Sequence, residues 1–230
     1  MSEFRDKLPP AELKFLEALE KADLDAVDLM LKTGTARVTQ SVSEHNSQPL
    51  HLAASMNNPA LIDLLVRHGA DVNARDKEDE TPLMLAAIWD RRDALEKLLA
   101  LGAERDLRGR SGMTALFYAA LQGRTESAGI LTEAGADPNI GTESGLTPIF
   151  AAALRGHLDV AKRLVDCGAE LGQKGHGQTA AEFAERIGHA GGDSQRVADF
   201  LAAAMVSRTA TEGTTEKVAV RKPLSFKKPD

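Results

Sequence analysis

Two landmarks recur along this chain in step, and a chain that repeats itself is expected to stack rather than to close around one central core. The pairs Gly69-Ala70, Gly102-Ala103, Gly135-Ala136 and Gly168-Ala169 are spaced at about 33 residues. Thr81-Pro82-Leu83, Thr114-Ala115-Leu116 and Thr147-Pro148-Ile149 keep the same interval, and Gln48-Pro49-Leu50 extends the series upstream. Apolar blocks such as Leu83-Met84-Leu85-Ala86-Ala87 follow each landmark. Two registers held in phase over four units are not coincidence. Composition agrees: aromatic residues make up only 4% of the 230, with one Trp and one Tyr, while alanines pair within each block. Large single cores lean on aromatics for buried area, whereas small side chains let neighbouring helices lie close.

Each unit reads as two short helices and a turn. Thr before Pro is an N-cap followed by a first helical position, where the missing proline N–H costs nothing. The first helix breaks at Asn57-Asn58, Asp90-Arg91, Gly123-Arg124 or Gly156-His157. A second helix follows with Leu anchors, as in Leu61-Ile62-Asp63-Leu64-Leu65, and stops at the periodic glycine, which takes a left-handed conformation readily. Polar turn residues such as Asp71-Val72-Asn73-Ala74-Arg75-Asp76 lead to the next unit.

The run Gln48-Pro49-Leu50-His51-Leu52-Ala53-Ala54, with Leu64-Leu65 and Gly69-Ala70-Asp71-Val72-Asn73-Ala74 behind it, resembles the ankyrin repeat family. The resemblance covers residues 10 to 204 and implies an all-α solenoid of helix–turn–helix units joined by β-hairpin-like turns. The expected division is N-terminal capping helices 8–42, repeats 43–75, 76–108, 109–141 and 142–174, a C-terminal capping repeat 175–206 and a disordered tail 207–230. The N-terminal cap lacks the Thr-Pro opening. At the other end Glu182 and Glu185 stand where a further unit would bury apolar residues, so the array is expected to close there. The tail carries Arg208, Lys217, Arg221, Lys222, Lys227 and Lys228 against three acids and has little apolar content with which to offset its ordering entropy.

No catalytic constellation emerges. The six histidines form no pair at ligand spacing and the lone Cys167 excludes a multi-thiolate site, so neither metal nor cofactor is expected. His51 sits where the family's histidine bonds the turn region. Gly172-Gln173-Lys174-Gly175-His176-Gly177-Gln178-Thr179 imitates a phosphate-binding loop but has Gln178 in place of the lysine. Cys167 lies beside Asp166, a poor setting for a reactive thiolate. The chain is therefore read as a non-enzyme without a small-molecule substrate.

Binding is the expected function. The net charge of -6 disfavours nucleic acid as a partner. No apolar run reaches membrane-spanning length, and the charged N-terminus is not a signal peptide, so a cytoplasmic monomer is expected. In the family the first helices and turn tips line a concave groove. At such positions stand Met56, Lys77, Glu78, Ile88, Trp89, Arg110, Met113, Leu121, Gln122 and Arg155, the candidate protein-binding residues of an adaptor, scaffold or regulator. Trp89 is the sharpest, since tryptophan is enriched at interface hot spots. Phe117, Tyr118 and Phe150 are read as packing residues. A second reading makes the basic tail the functional element, tethering the protein to an acidic partner, nucleic acid or an anionic surface.

Overall fold

The computed structural model describes residues 2–188 and 193–219. A short helix α1 (Ser2–Arg5) leads into α2 (Pro10–Glu20) and α3 (Leu24–Lys32), the N-terminal cap. Four helix pairs follow: α4 (Pro49–Ser55) with α5 (Pro59–Arg67), α6 (Pro82–Ile88) with α7 (Arg92–Ala100), α8 (Ala115–Leu121) with α9 (Thr125–Glu133), and α10 (Pro148–Arg155) with α11 (Leu158–Asp166). Helices α12 (Ala180–Ile187) and α13 (Asp193–Ala219) close the array. Among the described residues there is no strand, only one isolated bridge between Gly175 and Gln178.

The helices form two rows. The first helix of each pair packs on the first helix of the next, and the second on the second, so the main contacts of each unit are with its neighbours. Paired alanines make the inner row possible: Ala53 and Ala54, Ala86 and Ala87, Ala119 and Ala120, and Ala152 and Ala153 are all fully buried. The apolar cluster runs unbroken from Phe15 and Leu19 in the N-terminal cap to Val197 and Leu201 in α13.

Local chemistry sets each boundary. The hydroxyls of Thr81, Thr114 and Thr179 accept the amides of Met84, Phe117 and Glu182 at 3.3, 3.2 and 3.3 Å. Thr147 is buried in the equivalent place, yet its hydroxyl has no partner. The residue at each break has a positive φ: 57° at Asn57, 56° at Asp90, 68° at Gly123 and 73° at Gly156. Where that residue has a side chain, it caps the following repeat: Asn57 accepts the Ala94 amide at 2.9 Å, and Asp90 accepts the Ser127 hydroxyl at 2.5 Å. Gly123 has no such freedom, because a Cβ there would lie 2.7 Å from the His157 ring.

The turns are laddered as well. Each tip closes on itself through a bond such as Asp76 N to Glu80 O (3.1 Å), Gly109 N to Met113 O (2.8 Å) or Thr142 N to Leu146 O (2.9 Å). Below the tips the side chains of Asn73, Asp106 and Asn139 accept the amides of Glu104, Asp137 and Glu170, each 31 residues on, at 3.0, 3.1 and 2.7 Å. Hairpin-like turns are thus present without strand pairing.

The C-terminal end departs from expectation. Composition implied disorder from residue 207, but α13 continues through Ser207 to Ala219. Its anchor is Arg208, whose guanidinium donates to the main-chain oxygens of Ala169 and Val165 at 2.8 Å each. Val165 lies in the last turn of α11, where its oxygen also accepts the Gly168 amide at 3.1 Å, and Ala169 follows the glycine that stops the helix. The rest of the expected tail, residues 220–230, lies outside the described residues, as does His189. Glu182 and Glu185 are exposed on the closing helix, in keeping with its place at the end of the stack.

Candidate functional site

Three positions on each inner helix, spaced i, i+3 and i+4, share a face away from the buried alanines. They are Leu52, Ser55 and Met56 on and just after α4; Leu85, Ile88 and Trp89 on and just after α6; Tyr118, Leu121 and Gln122 on and just after α8; and, on α10, Leu154 and Arg155, with Ala151 at the third position buried. Trp89 is 54% exposed and Leu154 43% exposed, both high for large apolar side chains. Met56, Ile88, Met113 and Leu121 are half-buried, while Gln122 and Arg155 are open to solvent. None of the candidate apolar residues is sealed inside the stack.

The turn tips form one wall of this face. Lys77 donates its ammonium to the main-chain oxygen of Glu44 at 2.9 Å, and its own amide donates to His45 O at 2.9 Å. Arg110 forms an ion pair with Glu78, whose carboxylate also stands 3.9 Å from His45 Nδ1. The tip candidates Lys77, Glu78 and Arg110 are therefore linked to one another or to adjoining turns. At the N-terminal end of the face a cleft of about 100 Å³ opens between Leu16, Val42, Leu52, Ser55 and Leu85.

Sequence reasoning missed one residue pair here. Tyr118 was expected in the core beside Phe117, but it is half-buried and its hydroxyl faces the Glu80 carboxylate. The helical phase could have shown it: Phe117 shares the buried position of His51 and Met84, whereas Tyr118 falls one residue later with Leu52 and Leu85. Burial pushes the Glu80 carboxyl up, the Tyr118 hydrogen bond opposes this, and the charges of Asp76 and Glu78 add to it. Burial likewise raises the Tyr118 hydroxyl, reinforced by the Glu80 charge. Leu52, Leu85 and Leu154 also belong to this face.

The remaining sequence candidates occupy structural places. His51 is buried; Nδ1 accepts the Gln48 amide at 3.2 Å and Nε2–H donates to Glu80 O at 3.1 Å, so the ring is neutral and ties its helix to the next turn. Burial holds it below its ordinary value. Around the imitation phosphate loop, Gly175 and Gln178 exchange main-chain bonds at 2.9 and 3.1 Å, closing the turn on itself. Cys167 is exposed at the C-cap of α11.

A family model described as ankyrin repeats matches the chain in three copies, over residues 15–108, 77–142 and 93–175. Over 74 residues the chain is 35% identical to Ankyrin repeat and SOCS box protein 6 of Mus musculus, a stretch covering 29% of this chain and 18% of that protein. The chain thus spans less than a fifth of that relative's length. Helices in two rows, capped by threonine, broken at a left-handed residue and laddered at the turns, coincide with family matches running from residue 15 to residue 175, and the chain belongs to the ankyrin repeat family.

Proposed function

We propose that this protein binds a protein partner through the face built from its inner helices and turn tips, as an adaptor, scaffold or regulator. Ankyrin repeats are in general protein–protein interaction modules. The observation that carries the reading is the exposure of Trp89, at 54%, next to half-buried Ile88 and Leu121 on the open side of the inner helices. Because the ladders between repeats hold these side chains in place before a partner arrives, little ordering entropy is lost on docking. Met56, Lys77, Glu78, Arg110, Met113, Gln122 and Arg155 complete the proposed contact surface. Among the described residues no helix is long and apolar enough to cross a membrane. We place the protein in the cytoplasm as a capped monomer.

The test is the affinity of a partner recovered with the wild-type chain, measured again with Trp89→Ala. A loss of about 2–4 kcal/mol is expected, as for a central aromatic hot spot. The circular dichroism spectrum should stay unchanged, because Trp89 follows the last residue of α6 rather than filling the core. Undiminished affinity removes this face from the interaction.

A further inference from the structure

The residue just before each N-cap forms a row across the repeats: Glu80 stands between Ser47 on one side and Met113 and Leu146 on the other, the one charge among them. Its acidic neighbours are provided for from within the turn. Asp76 Oδ1 accepts the amides of Glu78 and Glu80 at 2.9 and 3.0 Å, and Glu78 is paired with Arg110. Glu80 has no such provision. Among the described residues no basic side chain forms an ion pair with it, and its carboxylate is met by the uncharged Tyr118 hydroxyl. It is half-buried at the edge of the apolar strip that includes Leu85 and Tyr118. A carboxylate withdrawn from water without a counter-charge costs free energy that a cation brought by a ligand would recover.

The surrounding charges choose the sign of that ligand. The cations of these tips are already engaged: Arg75 by Asp79 and Arg108 O, Lys77 by Glu44 O, and Arg110 by Glu78. An acidic segment laid along these tips would meet Glu78, Asp79 and Glu80 with no free cation between them. A basic one meets an unpaired carboxylate. On one side of Glu80 lies the cleft formed by Leu52, Ser55 and Leu85, with room for a single aliphatic side chain. At the far end of the helix that follows Glu80, past Leu85, stand Ile88 and Trp89.

We propose that the partner segment taken by this face carries a lysine or arginine that pairs with Glu80, flanked by apolar side chains, one entering the Leu52–Leu85 cleft and another covering Trp89. This rests on the reading of the face as a protein-binding surface and gives its ligand a chemistry. The Tyr118 hydroxyl holds the carboxylate in position for the incoming cation, and the apolar flanks exclude water from the pair, which strengthens it.

The test is a library of random linear peptides panned in parallel on the full wild-type chain, on Glu80→Gln and on Trp89→Ala. Peptides retained by wild type and lost on Trp89→Ala should be enriched in Lys or Arg next to an aliphatic or aromatic residue. A synthetic copy of the best one should bind Glu80→Gln about tenfold or more weakly, with a flatter dependence on salt. Removing a half-buried charge leaves the fold intact, so Glu80→Gln should unfold at the same or higher urea concentration. Trp89-dependent peptides without a basic residue, or equal affinity for Glu80→Gln, overturn this inference and leave the proposed face standing. A library with no Trp89-dependent peptide overturns both.

Discussion

Arg124 reaches back from the start of one repeat's second helix to the main-chain oxygen of Ile88 in the repeat before, its Nε–H donating at 3.1 Å. Arg91 makes the same contact one repeat earlier, to Ser55 O at 2.8 Å, and the His157 ring continues the series by bonding the Leu121 backbone. Ser55, Ile88 and Leu121 are each the last residue of an inner helix, where the carbonyl has no donor of its own. One side chain per repeat therefore finishes the preceding inner helix and sets the spacing between units. It also fixes the backbone beneath Trp89.

Truncating Arg124 leaves the Ile88 oxygen half-covered and without a donor. Arg124→Ala is expected to destabilise the stack by about 1–3 kcal/mol, the penalty for stranding a buried acceptor. Arg124 is tied to a main-chain atom rather than to a carboxylate, so the loss should change little with salt. Urea denaturation at low and high ionic strength measures both. An unaltered midpoint would show that water replaces the guanidinium without loss.

His51 makes stability depend on pH. Its folded value lies below the ordinary 6.5 because burial disfavours the charged ring. Below 6.5 the unfolded chain takes up a proton that the folded chain refuses, so stability is full above that pH and falls as pH drops toward the folded value. His157, also lowered mainly by burial, acts in the same direction. The carboxylates held low, Asp28 and Glu182 among them, weaken the fold only at more acidic pH. The urea midpoint should therefore decline between pH 7.5 and 5.5, and His51→Met should reduce that decline, since Met84 fills the equivalent place in the next repeat. An equal decline in the variant would rule out His51 as its source.

The repeat, its two helices and the turn could be read from the sequence because each rests on short-range rules that recur four times: a capping threonine, paired alanines and a glycine stop. The inner face was partly legible for the same reason, and Trp89 and Ile88 stand where helical phase puts them. Tyr118 was misplaced because an aromatic beside Phe117 looks like core until the two are assigned to different phases of one helix. Glu80 as an unpaired carboxylate could not be read from spacing at all. It depends on Asp76 and Glu78 finding their donors first, a three-dimensional allocation. The α13 extension was missed because composition averages over 24 residues and gives no weight to one arginine that meets two main-chain carbonyls.

That arginine supplies a last prediction. The two bonds from Arg208 to Ala169 O and Val165 O join α13 to the end of α11, beyond Leu201, the last buried apolar residue of the helix among the described side chains. Bonds from a charged donor to main-chain oxygens contribute about 1.5–3 kcal/mol. Arg208→Ala should therefore lower amide-exchange protection from Ser207 onward by an amount in that range and leave the four helix pairs protected as before, because their ladders do not pass through α13. Arg208→Lys has a single ammonium that cannot span both oxygens and should restore only part of the protection. Hydrogen exchange read by mass spectrometry on peptides from α11 and α13 separates these results. Unchanged protection in the alanine variant would mean that the helix beyond Ser207 is held by something other than this clasp.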